Sequence, residues 1–291
     1  MAWKPDRRRF ERRLTMLGMI LCGVATAAWS ETIQQAFATI SNPTFVLHSH
    51  NGTVSVKGWD QNRVEIKGER AAPDAMDVLI EGTDEKVSVK THPKRQNLSR
   101  QEARVDLEIR VPRQALVSVD SEQGTVAVED LERGVTVEGV TSSITLSRIR
   151  GDIAVHTLDG PIVIRSSEGH IEAASVGGDL TFVLVNASKF TATTNSGTIR
   201  YQGEFGLGGT YQLHSYGSSI EVQASPRASF DVDARSIQGT IENQLPLPSP
   251  PPASSVRPGR TGKSLQGRIS TGKSTVQITS YSGTIRLSGA R

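Results

Sequence analysis

The chain has 291 residues, of which 36% are hydrophobic but only 5% aromatic, so its core must be slim and made of Val, Ile and Leu. The formal net charge is +3 and the sequence pI about 9.1, yet this basicity belongs to the opening of the chain. Six basic residues in positions 1–30, against Asp6 and Glu11, leave +4 there and −1 for the remainder, which excludes a general attraction for nucleic acid.

Residues 1–30 read as a secretory signal peptide. Lys4, Arg7, Arg8, Arg9, Arg12 and Arg13 form a basic head, Leu14 to Ala28 is apolar, and Ala28-Trp29-Ser30 offers a small-x-small cleavage site. The apolar run is shorter than the roughly 20 residues of a membrane span, so membrane association is expected only through this leader if it stays uncleaved. Arg7-Arg8-Arg9-Phe10 also resembles the twin-arginine export pattern. The lone cysteine, Cys22, follows the large Leu21, which argues against lipidation. After cleavage the chain holds no cysteine, which rules out disulfides, thiolate metal sites and a Cys nucleophile.

Residues 31–115 read as an irregular β segment continuous with the repeat region C-terminal to it. Phe45–Leu47, Gly52–Val56, Val64–Ile66, Val78–Ile80 and Val87–Val89 are short strand-like runs, and Val105–Val111 alternates until Pro112.

Residues 116–291 carry a nine-residue beat of a turn residue followed by alternating apolar positions. Val126, Val135, Ile144, Ile153, Ile162, Ile171 and Leu180 lead successive steps nine apart. This is the pattern of an all-β solenoid, a parallel β-helix-like coil in which two steps close about one turn. The spacing predicts one parallel sheet through Val126, Ile144, Ile162, Leu180, Ile199 and Ile220. A facing sheet runs through Val135, Ile153, Ile171, Phe190, Tyr211 and Phe230. A triangular coil of three steps competes with this geometry. Residues 245–260, with Pro246, Pro248, Pro250, Pro251, Pro252 and Pro258, interrupt the beat as an extended loop, and it returns at Val276 and Ile285.

Asn51-Gly52-Thr53-Val54-Ser55-Val56-Lys57-Gly58-Trp59-Asp60, the strand ending Val111-Pro112, and units such as Ser282-Gly283-Thr284-Ile285-Arg286-Leu287 together resemble the bacterial DUF4097 family of adhesin-type β-repeat proteins. The resemblance covers nearly the whole chain after the leader. It implies an extracytoplasmic β-solenoid and supplies no catalytic motif.

Three motifs suggest chemistry. Gly267-Arg268-Ile269-Ser270-Thr271-Gly272-Lys273-Ser274 satisfies the phosphate-loop pattern, but Thr275–Thr279 reads as a strand where that loop needs a helix, so no nucleotide is expected. His48 and His50 share one strand face, a spacing that can bind metal only with further ligands, and they read as surface histidines. Asp120, Glu122, Glu129, Asp130 and Glu132 read as charges at solvated turns. The outward tracks (Ala127, Thr145, Val163, Thr181, Arg200, Glu221; and Thr136, Ala154, Glu172, Thr191, Gln212, Asp231) gather no acid–base cluster.

No catalytic, cofactor-binding or metal-binding residue is therefore assigned, and no cofactor is expected. The chain is expected to be a non-catalytic, adhesin-like binding or scaffold protein of the cell envelope, secreted or periplasmic. Its partner would be an envelope protein or a polysaccharide. The alternatives are a carbohydrate-active β-helix enzyme (polysaccharide lyase or glycosidase) and a self-assembling structural envelope protein.

Overall fold

The computed structural model describes residues 31–247 and 262–290; residues 1–30, expected to be a leader, and most of the proline-rich loop lie outside these residues. Within them the chain is all β, a flat two-faced solenoid in a single hydrogen-bonded sheet system.

The first face begins with three antiparallel neighbours, β1 (Glu31–Ala38), β3 (Arg63–Arg70) and β6 (Val105–Pro112). Parallel strands follow: the second halves of β2 (Thr44–Trp59), β7 (Leu116–Glu129) and β8 (Gly134–Ser147), then β10 (Ile162–Arg165), β12 (Leu180–Val183), β14 (Ile199–Gly203) and β16 (Ile220–Ala224). Two C-terminal strands, β21 (Ile285–Gly289) and then β18 (Ile241–Asn243), close this face.

The second face opens with antiparallel β4 (Met76–Gly82) on β5 (Lys86–Pro93), followed by the first halves of β2, β7 and β8. It continues through β9 (Arg150–Asp159), β11 (Glu168–Ser175), β13 (Asn186–Thr194) and β15 (Thr210–Ser215). It ends with β20 (Ser274–Ser280), β17 (Phe230–Ser236) and antiparallel β19 (Lys263–Ile269).

Register follows the beat. Val126 pairs with Ile144 and Ile144 with Ile162, a repeat of 18 residues, so two steps close one coil and the triangular alternative falls. Alternate residues point inward. In one coil Ile144, Leu146, Ile149, Ile153 and Val155 are all buried. Such side chains contribute roughly 1.5–3 kcal/mol each, against roughly 1–2 kcal/mol of backbone entropy for every ordered residue. A lone coil therefore cannot hold together, and stacking is what makes the fold stable.

Glycines set how closely coils approach. A Cβ on Gly178 would lie 1.8 Å from the Gly160 carbonyl oxygen, and one on Gly197 would lie 1.9 Å from that of Gly178. Only a residue without Cβ lets those backbones stack.

The C-terminal order departs from the expected one. The strand at Phe230 was expected to lie on Tyr211, but Tyr211 pairs with Val276, and Val276 with Val232. The returning chain thus fills the penultimate coil, and β17–β18 become the outermost parallel layer. Asp231 consequently shares a row with Thr275 rather than Gln212, whose row continues through Gln277 to Asp233. The physical reason lies at the edge: with β17 outermost, antiparallel β19 covers its open backbone, as β4 covers β5 at the other end. Neither β1 nor β19 was expected as a strand, because neither shows clean alternation of large apolar residues.

Candidate binding surface on the turn edge

The two faces meet at two edges of opposite character. On one edge β11, β13, β15, β17 and β20 each end in an inward hydroxyl that forms the turn. The Gly178 amide donates to Ser175 Oγ (2.7 Å), Gly197 to Thr194 Oγ1 (3.0 Å), Ser218 to Ser215 Oγ (3.1 Å), Gly239 to Ser236 Oγ (3.0 Å) and Gly283 to Ser280 Oγ (2.9 Å). The local sequence is Ser/Thr-x-x-Gly/Ser, with the side-chain oxygen replacing a backbone turn acceptor. This spacing stands in the sequence beside the nine-residue beat but is independent of it.

Fixing the first and fourth residues leaves the second facing solvent. Backbone bonds align these second residues coil on coil: Gly177 N to Leu158 O, Ser196 N to Val176 O, Gly217 N to Asn195 O, Ser282 N to Tyr216 O and Gln238 N to Tyr281 O. With Val140, which follows Gly139 in register with Thr157, the row reads Val140, Leu158, Val176, Asn195, Tyr216, Tyr281, Ile237. Of the ten large apolar side chains exposed among the described residues, five stand in this row, at 43–61% exposure. Tyr216 and Tyr281 stack with centroids 4.7 Å apart and planes 2° from parallel. Seven positions at about 4.8 Å per coil give a ridge about 29 Å long.

The opposite edge is charged where its early coils turn, at Asp130 and Arg148, while Leu184 stands 65% exposed at the corresponding turn further along. Asp130, Arg148, Ser166 and Leu184 occupy corresponding turn positions in the left-handed region, with φ between 49° and 63°. Arg148 donates to Asp130 at 2.7 Å and to Glu129 at 2.7 Å, and Arg150 to Glu168 at 2.6 Å.

All six histidines lie on second-face strands. His48 Nδ1 lies 2.6 Å from Asp120 and His50 Nδ1 2.6 Å from Glu122. Asp120 sits inside β7 beside the β2 histidines and is not a turn charge, whereas Glu122 stands at the bend of β7, one coil before Val140. They line a cavity of about 400 Å³ with Lys90, His92 and Glu138, and Val140 closes its rim where the apolar ridge begins. Pairing of this kind escapes the sequence because it needs the register of β2 against β7, which falls outside the nine-residue beat. Glu129 ends β7, and Glu132 accepts from Gln114 at 2.6 Å. No three His, Cys, Asp or Glu side chains among the described residues are grouped so as to hold a metal ion.

On the first-face outward track, Asp179, Arg200, Glu221, Arg286 and Glu242 alternate in sign and pair along the coils, from 2.9 Å for Arg200–Asp179 to 3.4 Å for Arg200–Glu221. Such exposed pairs fix register more than they add stability. The phosphate-loop look-alike runs from β19 through Ser270–Lys273 directly into β20. Its amides face no helix terminus, and the Lys273 amide donates to Ser229 Oγ at 3.3 Å.

A parallel β-solenoid bounded by antiparallel strands, with ladders of identical turns, defines the class of protein. The Toastrack DUF4097 family model matches residues 44–288, and the chain belongs to that family. No curated protein matches it. Similar crystal structures include a candidate cell adhesion protein from Clostridium sporogenes, 12% identical with a TM-score of 0.30 over 90% of this chain and 100% of that one. A candidate adhesin from Bacteroides fragilis is 10% identical with a TM-score of 0.49 over 88% of this chain and 97% of that one. Another, from Parabacteroides merdae, is 9% identical with a TM-score of 0.25 over 88% and 96%.

Proposed function

We propose that the protein is a non-catalytic, adhesin-like binding protein that works outside the cytoplasm and engages its partner along the turn edge. The observation that carries this reading is the row from Val140 to Ile237. A coil gains little in its own packing from an exposed Leu158, and an apolar row broken only at Asn195 marks a place where something docks. A solenoid suits the task, because its coils stack in register and present successive turns at the strand spacing. The basic head, apolar run and small-x-small site of residues 1–30 support export.

The test is photo-crosslinking in intact cells from positions 158 and 216 of the full chain, with Arg165 on the other side of the coil as control. Crosslinks confined to 158 and 216 are expected; equal yields from 165, or none, refute the reading. Incubation with peptidoglycan and bacterial or plant glycans is expected to release no reducing ends or unsaturated products. Sustained release would establish the carbohydrate-active enzyme instead.

A further inference from the structure

The C-terminal half of the turn edge differs chemically from the rest of the molecule. Charged residues make up 22% of the chain. Yet the turns Asn195–Thr198, Tyr216–Ser219, Tyr281–Thr284 and Ile237–Thr240 contain no Asp, Glu, Lys or Arg. The flanking His214 is half-buried, and burial pushes its imidazole below the usual histidine range, which keeps it neutral near pH 7. The neutral stretch is local and bounded by charge: Glu122, Asp159 and Asp179 lie nearer the N-terminus, and Lys263 pairs with Ser236 at the far end.

Its remaining groups are apolar surfaces and hydroxyls. Tyr281 covers one side of Tyr216, while Tyr216 stays 61% exposed and neighbours the Asn195 turn on its other side. Ser196 Oγ donates to Val176 O (3.2 Å), Ser218 Oγ to Ser196 O (2.5 Å) and Ser282 Oγ to Tyr216 O (3.3 Å). With their protons spent on backbone carbonyls, these oxygens keep lone pairs for an incoming donor.

We propose that this stretch binds an uncharged polysaccharide lying along the coil axis, a proposal that rests on the turn edge being the binding surface. Neutral sugar rings offer an apolar face to Tyr216 and hydroxyl donors to the serine oxygens and to Asn195, and they need no counter-charge. Size favours a glycan over a protein. Four turns at about 4.8 Å per coil, each about 10 Å across, make a strip of roughly 200 Å². A standard protein interface buries about 800 Å² per partner. One coil step is also close to the length of one sugar in an extended chain, so a polymer can place a ring on each turn.

The experiment is calorimetry and affinity electrophoresis of the full chain with cellohexaose, maltohexaose, laminarihexaose and chitohexaose. Oligogalacturonate and fully deacetylated chitohexaose serve as charged comparators. Binding to at least one neutral oligomer is expected, unchanged at high salt and at least about ten-fold weaker in Tyr216→Ala and Asn195→Ala. Arg165→Ala, on the other side of the coil, keeps full affinity, and circular dichroism verifies that all three variants fold. Binding to none of the neutral oligomers, binding only to the charged ones, or equal binding by Tyr216→Ala overturns the proposal. If neutral oligomers fail while crosslinks from position 216 to a protein persist, the glycan is wrong and the binding edge stands. If both fail, both fall.

Discussion

Arg148 Nε donates to Asp130 Oδ1 at 2.7 Å, and the two residues, one coil apart, both hold the left-handed conformation, with φ of 55° and 63°. Neither is a glycine, so each turn costs backbone energy that the surrounding ladder must hold in place. The hydrogen bond from Arg148 keeps the Asp130 carboxyl below the ordinary carboxylate range. A carboxyl whose folded-state pKa is depressed adds stability that is fully present above its unfolded value, near 3.9. That contribution disappears as pH falls through the lower folded value. Asp130→Asn tolerates the same backbone conformation and removes only the charge. It is expected to unfold at lower urea than the parent at pH 7, by roughly 0.5–1 kcal/mol, with the gap closing below about pH 4. A gap that persists at acid pH would assign the loss to the backbone instead.

Close stacking gives a second test. Gly178→Ala places a methyl group 1.8 Å from the Gly160 carbonyl oxygen, whereas a Cβ on Gly289 meets nothing within 4 Å. The first substitution is expected to cost about 3 kcal/mol or more, by forcing adjacent coils apart. Gly289→Ala should fall within about 0.5 kcal/mol of the parent. Equal urea midpoints for the two variants would show that the coils slide apart freely.

The turn hydroxyls make a third. Ser175→Ala leaves the buried Gly178 amide without its acceptor, which costs about 1–3 kcal/mol. Ser175→Thr retains the oxygen and should recover most of that loss. Thermal melts of both variants decide it, and a failure of Thr to rescue would mean that side-chain volume matters more than the hydrogen bond.

The repeat between Val126 and Leu180 was legible because each step leads with one apolar residue nine positions after the last, and period-two alternation sends those side chains inward. The order of the last coils was not. Phe230 and Val276 both lead strands with the same inward pattern, so periodicity alone cannot say which lies on Tyr211. That choice is made by edge protection and by a connection through the proline-rich region. The turn edge was half legible: Gly178, Gly197 and Gly283 announced turns, but the exposed row emerges only once Leu158, Val176 and Tyr216 are seen side by side. The pairing of His48 with Asp120 depends on β2 lying against β7, a long-range register with no local signature.

The interleaved C-terminus predicts a crosslinking pattern. Gln212 Nε2 lies 3.4 Å from Gln277 Oε1 on neighbouring strands, and β20 separates Gln212 from Asp231. A cysteine pair at 212 and 277 is expected to form a disulfide on mild oxidation, and a pair at 212 and 231 is not, because bridging requires Cα atoms closer than about 7 Å. Mass spectrometry of the oxidised protein, in a Cys22→Ser background, reads both. The reverse outcome would restore the sequential stacking expected from the repeat.

The ridge itself can be separated from the core by one pair of substitutions. Leu146 is fully buried and Leu158 is 57% exposed, although they stand twelve residues apart in the same solenoid. Leu146→Ala removes packed methyl groups and should cost about 2–5 kcal/mol. Leu158→Ser removes surface that touches mostly water and should stay within about 0.5 kcal/mol, while crosslinking from position 158 should cease to report a partner in a separate chain that carries Val140→Ser and Val176→Ser. The contrast matters because a destabilisation of core size at Leu158 would make that side chain part of the packing. The row would then need no partner to explain its composition. Unchanged stability leaves docking as the physical reason for an apolar row that the fold does not require.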